Sequence, residues 1–83
     1  MVSNDVLLKL LQKSPSKFKL LEILEKEPCY IREISNKMKI FPSAILKHLR
    51  FLEHNKLIVS EKIENKKYYK LTSHGKTLLN SLQ

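Results

Sequence analysis

The residues with most chemistry to offer are cationic and regularly spaced. Ser43, Lys47, Arg50 and His54 follow one another at intervals of four, three and four, which on an α-helix sets all four on one face. Lys62, Lys66, Lys67 and Lys70 form a second group, interrupted by Glu61 and Glu64. A guanidinium can pair bidentately with a guanine edge or a phosphate, whereas lysine is a mobile point charge suited to phosphate. The chemistry on offer is recognition of a polyanion.

Catalytic and metal chemistry find little support in the same chain. There is no glycine-rich phosphate loop, no nucleophile beside a plausible base, and no carboxylate pair spaced to a histidine. An enzyme is not expected, and no cofactor. Cys29 is the only cysteine, so an internal disulfide and a clustered thiolate site are both excluded. His48, His54 and His74 are scattered without ligand spacing, and no metal is expected. His48 reads as a core-edge residue, His54 as a phosphate contact or a helix-terminal cation, and Cys29 as a small buried apolar residue.

Charge distribution points the same way. The 83 residues carry a formal net charge of +8, which favours nucleic acid or an anionic membrane surface as partner. Residues 1–36 hold six Lys/Arg against five Asp/Glu, a net of +1, and residues 37–83 hold ten against three, a net of +7. The excess coincides with the two cationic groups. They lie on a predicted helix and hairpin rather than on one long basic amphipathic helix, which argues against a membrane-surface role. The first fifteen residues contain an apolar run broken by Lys9 and read as neither signal peptide nor transmembrane helix. A cytoplasmic location is expected.

The elements that must position these residues are legible from periodicity. Val6, Leu7, Leu10 and Leu11 behind Ser3, Asn4 and Asp5 predict a helix over about 4–12. Ser14 and Pro15 open a second, with Phe18, Leu20, Leu21, Ile23 and Leu24 as its apolar stripe, and it runs to about Lys26 before Pro28 stops it. Residues 29–31 form a short extended bridge, 32–38 a third helix, and Lys39-Ile40-Phe41 a turn. A fourth helix runs from Pro42 to about His54, with Ile45, His48, Leu49 and Leu52 inward. Asn55, tolerant of the left-handed region, is expected to end it. Leu57 to Leu71 then reads as a two-stranded hairpin with the tip Glu64-Asn65-Lys66. One of Tyr68 and Tyr69 should pack inward. Thr72 or Ser73 caps a last helix carrying Leu78, Leu79 and Leu82.

The fold class expected is mainly α with a small β-hairpin (α+β), a winged helix-turn-helix in one domain over 1–83. The helix-turn-helix spans about 31–54, the wing about 57–71, and terminal helices lie at about 4–12 and 73–82. On the fourth helix alone a merely solvated polar face would look the same. The basic hairpin beside it favours the binding reading.

A family resemblance rests on an ordered set of residues. Ile31-Arg32-Glu33-Ile34-Ser35, then Pro42-Ser43-Ala44-Ile45-Leu46-Lys47-His48-Leu49, then Leu52, Leu57-Ile58, Tyr69-Lys70-Leu71-Thr72 and Gly75 fall in the order seen in ArsR-like winged-helix regulators. MarR-like and archaeal regulators are near alternatives. Over roughly residues 17–82 the chain resembles that family, which implies double-stranded DNA as partner, transcriptional regulation and, by default, repression. Leu46 stands where the family often has serine or threonine, and Asn55-Lys56 replaces its small residue and glycine. Lacking the cysteine and histidine clusters of metal sensors, the chain resembles a non-metal member.

The expected DNA-binding residues are therefore Ser43, Lys47, Arg50, His54, Lys62, Lys66 and Lys67. Val6, Leu7, Leu10, Leu11, Leu78, Leu79 and Leu82 amount to more apolar surface than so short a chain readily hides, and are expected to form a homodimer interface. Packing of these leucines within their own chain is the competing reading. For function, the alternatives are a winged-helix protein-interaction module and a nonspecific DNA-coating protein.

Overall fold

The computed structural model describes residues 3–83. Its first two helices are each opened by a serine. Ser3 caps α1 (Asn4–Gln12) by accepting from the Val6 N–H, and Ser14 caps α2 (Pro15–Lys26) by accepting from the Lys17 N–H. Such caps satisfy amides that the helix leaves unpaired. Pro15 sits in the first turn, where its fixed φ is pre-organised.

After Pro28 the chain forms β1 (Cys29–Tyr30) and turns into α3 (Ile31–Met38). The Tyr30 N–H donates to Glu33 Oε1 at 3.2 Å, one half of a capping box at that helix start. Lys39 adopts the left-handed region (φ 57°), the Ile40 N–H returns to the Ser35 carbonyl, and the Ser35 hydroxyl donates to the Ile40 carbonyl. This closed turn sets the angle at which α4 (Pro42–His54) leaves.

The end of α4 corrects the expectation for Asn55. Asn55 has φ −90°, and Lys56 is the left-handed residue (φ 61°). The Leu57 N–H bonds the Leu52 carbonyl and the Lys56 N–H the Glu53 carbonyl, the paired closure of a Schellman motif one residue later than expected. Asn55 is instead buried, with Nδ2 donating to the Phe51 carbonyl at 2.9 Å.

The hairpin is β2 (Ile58–Ile63) and β3 (Lys66–Leu71). Its tip is the two residues Glu64 and Asn65, both at positive φ (48° and 69°), the geometry that matches the right-handed strand twist. Lys66 therefore belongs to β3, opposite Ile63. The sheet also has one strand more than the hairpin: β1 pairs antiparallel with β3, Cys29 opposite Tyr69 and Tyr30 opposite Tyr68, giving the order β1-β3-β2. Of the two tyrosines, Tyr69 packs inward.

α5 (Ser73–Leu82) is capped by Thr72, whose hydroxyl accepts from the Gly75 N–H and donates to the Lys56 carbonyl. The fold is thus α+β, five helices around a small antiparallel sheet, a winged helix-turn-helix.

Its core answers the question of the terminal leucines. Leu7, Leu11, Leu78 and Leu79 are buried in one cluster with Leu20, Leu21, Ile34, Leu49, Leu52 and Leu57. α1 and α5 fold onto α2 of the same chain, because burying each such leucine contributes about 1.5–3 kcal/mol without needing a partner. These four residues present no surface to a second subunit. Of the expected interface set, Val6 and Leu10 remain exposed at 42% and 40%, and Leu82 is half-buried.

Candidate nucleic-acid interface

The helical geometry of α4 sorts its residues into two faces. Ile45, Leu49 and Leu52 point into the core, which leaves Ser43, Lys47, Arg50 and His54 together on the opposite, exposed face. α4 is fixed to the wing by the Ser60 hydroxyl, which donates to Glu53 Oε2 at 3.0 Å. That bond engages the one carboxylate on α4 and ties β2 to the helix.

On the wing, Lys62 and Lys67 are directly opposed across the strands, and Lys66 lies next to the tip. All three side chains are exposed. Lys66 Nζ stands 4.5 Å from the centroid of the Tyr30 ring and Lys67 Nζ 5.4 Å from that of Tyr69. These contacts orient the lysines without neutralising them. The single ion pair among the described residues joins Lys37 to Glu27. Lys47, Arg50, Lys62, Lys66 and Lys67 thus have no carboxylate within ion-pair distance among those residues and keep their charge for an external anion.

Two neighbours are not singled out by the sequence. Arg32, at the start of α3 and exposed, lines the same cleft as Lys66 and Lys67. In the sequence it reads only as part of a polar helix face, since its approach to the wing depends on the pairing of β1 with β3. Phe41, next to the first turn of α4, is 82% exposed. Its place in a predicted turn gives no hint of that degree of exposure.

Two titratable groups, His48 and Cys29, are shifted towards their neutral forms. Burial, assisted by the nearby Lys17 ammonium, holds the His48 imidazole below its ordinary value, as expected for a residue at the core edge rather than a proton donor. Burial also pushes the Cys29 thiol up, with Lys37 opposing it from 3.7 Å. A raised thiol pKa means little thiolate at neutral pH and a poor nucleophile. Cys29, His48, His54 and His74 lie on β1, α4, α4 and α5, and no group of three or more His, Cys, Asp or Glu able to hold a metal exists among the described residues. No helix among them is long and apolar enough to cross a membrane.

A helix-turn-helix followed by a basic two-stranded wing defines the class of winged-helix regulators. Residues 14–59 match the bacterial regulatory protein arsR family, and the chain belongs to that family, whose members are regulators rather than enzymes. Similar solved structures include HlyU from Vibrio cholerae N16961 at TM-score 0.81 and 21% identity, covering 95% of this chain and 87% of that one. Another is ZitR from Lactococcus lactis, described as a zinc-responsive MarR family member, at TM-score 0.72 and 26% identity over 78% of this chain and 47% of that one. ZitR in complex with DNA matches at TM-score 0.73 and 25% identity, covering 78% and 47%. The chain spans about half the length of the ZitR chains it matches. No curated protein matches it in sequence.

Proposed function

We propose that this protein is a sequence-specific, double-stranded DNA-binding transcriptional regulator, acting as a homodimeric repressor in the cytoplasm. The observation that carries this reading is the exposed stripe Ser43, Lys47, Arg50 and His54 on α4, inside the segment that matches the arsR family. In this reading residues 1–83 act as one DNA-binding domain. α4 enters the major groove, where Arg50 or Lys47 reads guanine and Ser43 and His54 contact base edges or phosphate. Lys62, Lys66 and Lys67 of the wing lie along phosphates or the neighbouring minor groove. Two protomers related by a two-fold axis set their α4 helices about 34 Å apart on an inverted repeat. Val6, Leu10 and Leu82 supply the apolar surface for that contact.

The regulator is further proposed to work without a metal. The support is that its one cysteine and three histidines are spread over β1, α4 and α5, with His48 and His54 six residues apart on α4.

Selection from a randomised duplex pool at about 0.1–0.2 M salt, where phosphate contacts are already weakened by counterions, tests the proposal. Enrichment of an inverted repeat is expected. Retention without a motif would leave a nonspecific DNA coat, and no retention would leave a protein-interaction module.

A further inference from the structure

Among the described residues, Phe41 stands apart from the other exposed apolar side chains: it is 82% exposed, and the next, Ile63, is 46%. A phenyl ring left in water forgoes the favourable burial of its apolar surface. Its backbone is nevertheless held on both sides. Before it, the Ile40 N–H bonds the Ser35 carbonyl at 3.3 Å, and the Ser35 hydroxyl bonds the Ile40 carbonyl. After it, the Ala44 and Ile45 N–H groups donate to the Phe41 carbonyl at 3.0 and 3.2 Å. The ring is thus displayed from a fixed point at the start of α4.

Phe41 also occupies the N-cap of α4 and makes no side-chain cap bond there. Serine, threonine, asparagine or aspartate would satisfy a first-turn amide at that position, as Ser3, Ser14 and Thr72 do for α1, α2 and α5. Neither the helix it opens nor the core, from which it is excluded, accounts for a phenylalanine here.

We infer that Phe41 is a specificity-determining residue that reads the 5-methyl group of a thymine in the major groove. The inference rests on the DNA-binding reading and adds a base to it. Recognition helices contact base edges through their N-terminal residues, and Phe41 immediately precedes Pro42 and Ser43, where the exposed face of α4 begins. The thymine methyl is the apolar group on the major-groove edge of a base pair, and apolar side chains contact it. Ring and methyl leave water together, a gain that cytosine cannot reproduce. Around the ring, Asn36, Lys39 and Ser43 are exposed and polar or cationic. The ring is therefore a single apolar point in a surface suited to a polyanion, not part of the broad apolar patch that a protein partner buries. Arg50 follows nine residues later, about 13 Å along the helix, so the two residues read different base pairs.

The test takes a duplex enriched from the pool and replaces its thymines one at a time by deoxyuridine, which removes the methyl and keeps the pairing. Affinities of the wild type, Phe41→Ser and Arg50→Ala are compared by fluorescence anisotropy. At one thymine of the motif the wild type is expected to bind the deoxyuridine duplex about fivefold more weakly. Phe41→Ser should bind the thymine duplex more weakly by a similar factor and no longer distinguish the two bases there, while Arg50→Ala keeps the discrimination. Serine can cap α4, so the urea midpoint of Phe41→Ser should equal or exceed that of the wild type. Indifference of the wild type to every replacement, or an undiminished penalty in Phe41→Ser, would overturn the inference and leave the DNA-binding reading standing. A clearly lower midpoint would show the ring packing on its own protein and would overturn it too. Failure to enrich any duplex would instead remove the reading itself, and the inference with it.

Discussion

The carbonyl oxygen of Leu57 occupies the space that a side chain at Gly75 would need: a Cβ there would come within 2.1 Å of it. The same oxygen accepts the Thr72 N–H at 3.0 Å, so it cannot withdraw without breaking the bond that leads the chain into α5. Gly75, the only glycine in the chain, is therefore required for close approach rather than for an unusual φ. Gly75→Ala is expected to destabilise the fold by about 1–3 kcal/mol, the range for overpacking, read as a lower urea midpoint. An unchanged midpoint would mean that α5 docks elsewhere.

Stability should also respond to His48. Its folded pKa is lowered, by burial first and by Lys17 second, relative to an unfolded value of about 6.5. Between those two values the unfolded chain binds more protons, so stability falls as pH drops through that window. His48→Gln should flatten the dependence of the urea midpoint on pH as it falls below about 6.5. A variant whose slope matches the wild type would show that burial at His48 does not govern the acid limb.

Val6 and Leu10, exposed on α1, give the dimer reading a clean separation from folding. Val6→Glu/Leu10→Glu is expected to convert a dimer into a monomer in sedimentation equilibrium while keeping the helical circular dichroism. Leu7→Ala, in the protomer core, should instead cost about 2–5 kcal/mol of stability. A wild type that sediments as a monomer at all concentrations would remove the dimer.

Phosphate contacts leave a signature in salt. If about six cations of α4 and the wing reach phosphates, the logarithm of the association constant should fall with the logarithm of salt with a slope near −5 on B-DNA. Lys62→Gln/Lys67→Gln should reduce that slope by about 2 when both lysines contact phosphate. An unchanged slope would place the wing off the DNA.

The helices are legible in the sequence because their apolar spacing and their starts agree: Ser14 caps where expected, Ser3 is the one of the three candidates Ser3, Asn4 and Asp5 that caps α1, and Pro15 and Pro42 open the first turns. The points of difference share a cause in tertiary contacts. Residue type matches Asn55 to the left-handed position, yet its burial and its bond to Phe51 leave that conformation to Lys56. β1 as a strand, and with it the cleft beside Arg32, depends on pairing with a distant segment of the chain, Tyr68 and Tyr69, which local pattern does not encode. Leu7, Leu11, Leu78 and Leu79 cannot be divided between core and interface from the sequence, because apolar periodicity marks a buried face without saying what buries it.

The most direct test of the account is the affinity of three proteins for an enriched duplex: the wild type, Arg50→Ala on the exposed face of α4, and Lys9→Ala on α1, compared by fluorescence anisotropy. Loss of a bidentate base contact is expected to weaken Arg50→Ala by about 1–3 kcal/mol, with relaxed preference at one base pair, while Lys9→Ala binds as the wild type does. Equal affinity of Arg50→Ala and the wild type, or equal losses in both variants, would contradict recognition through α4.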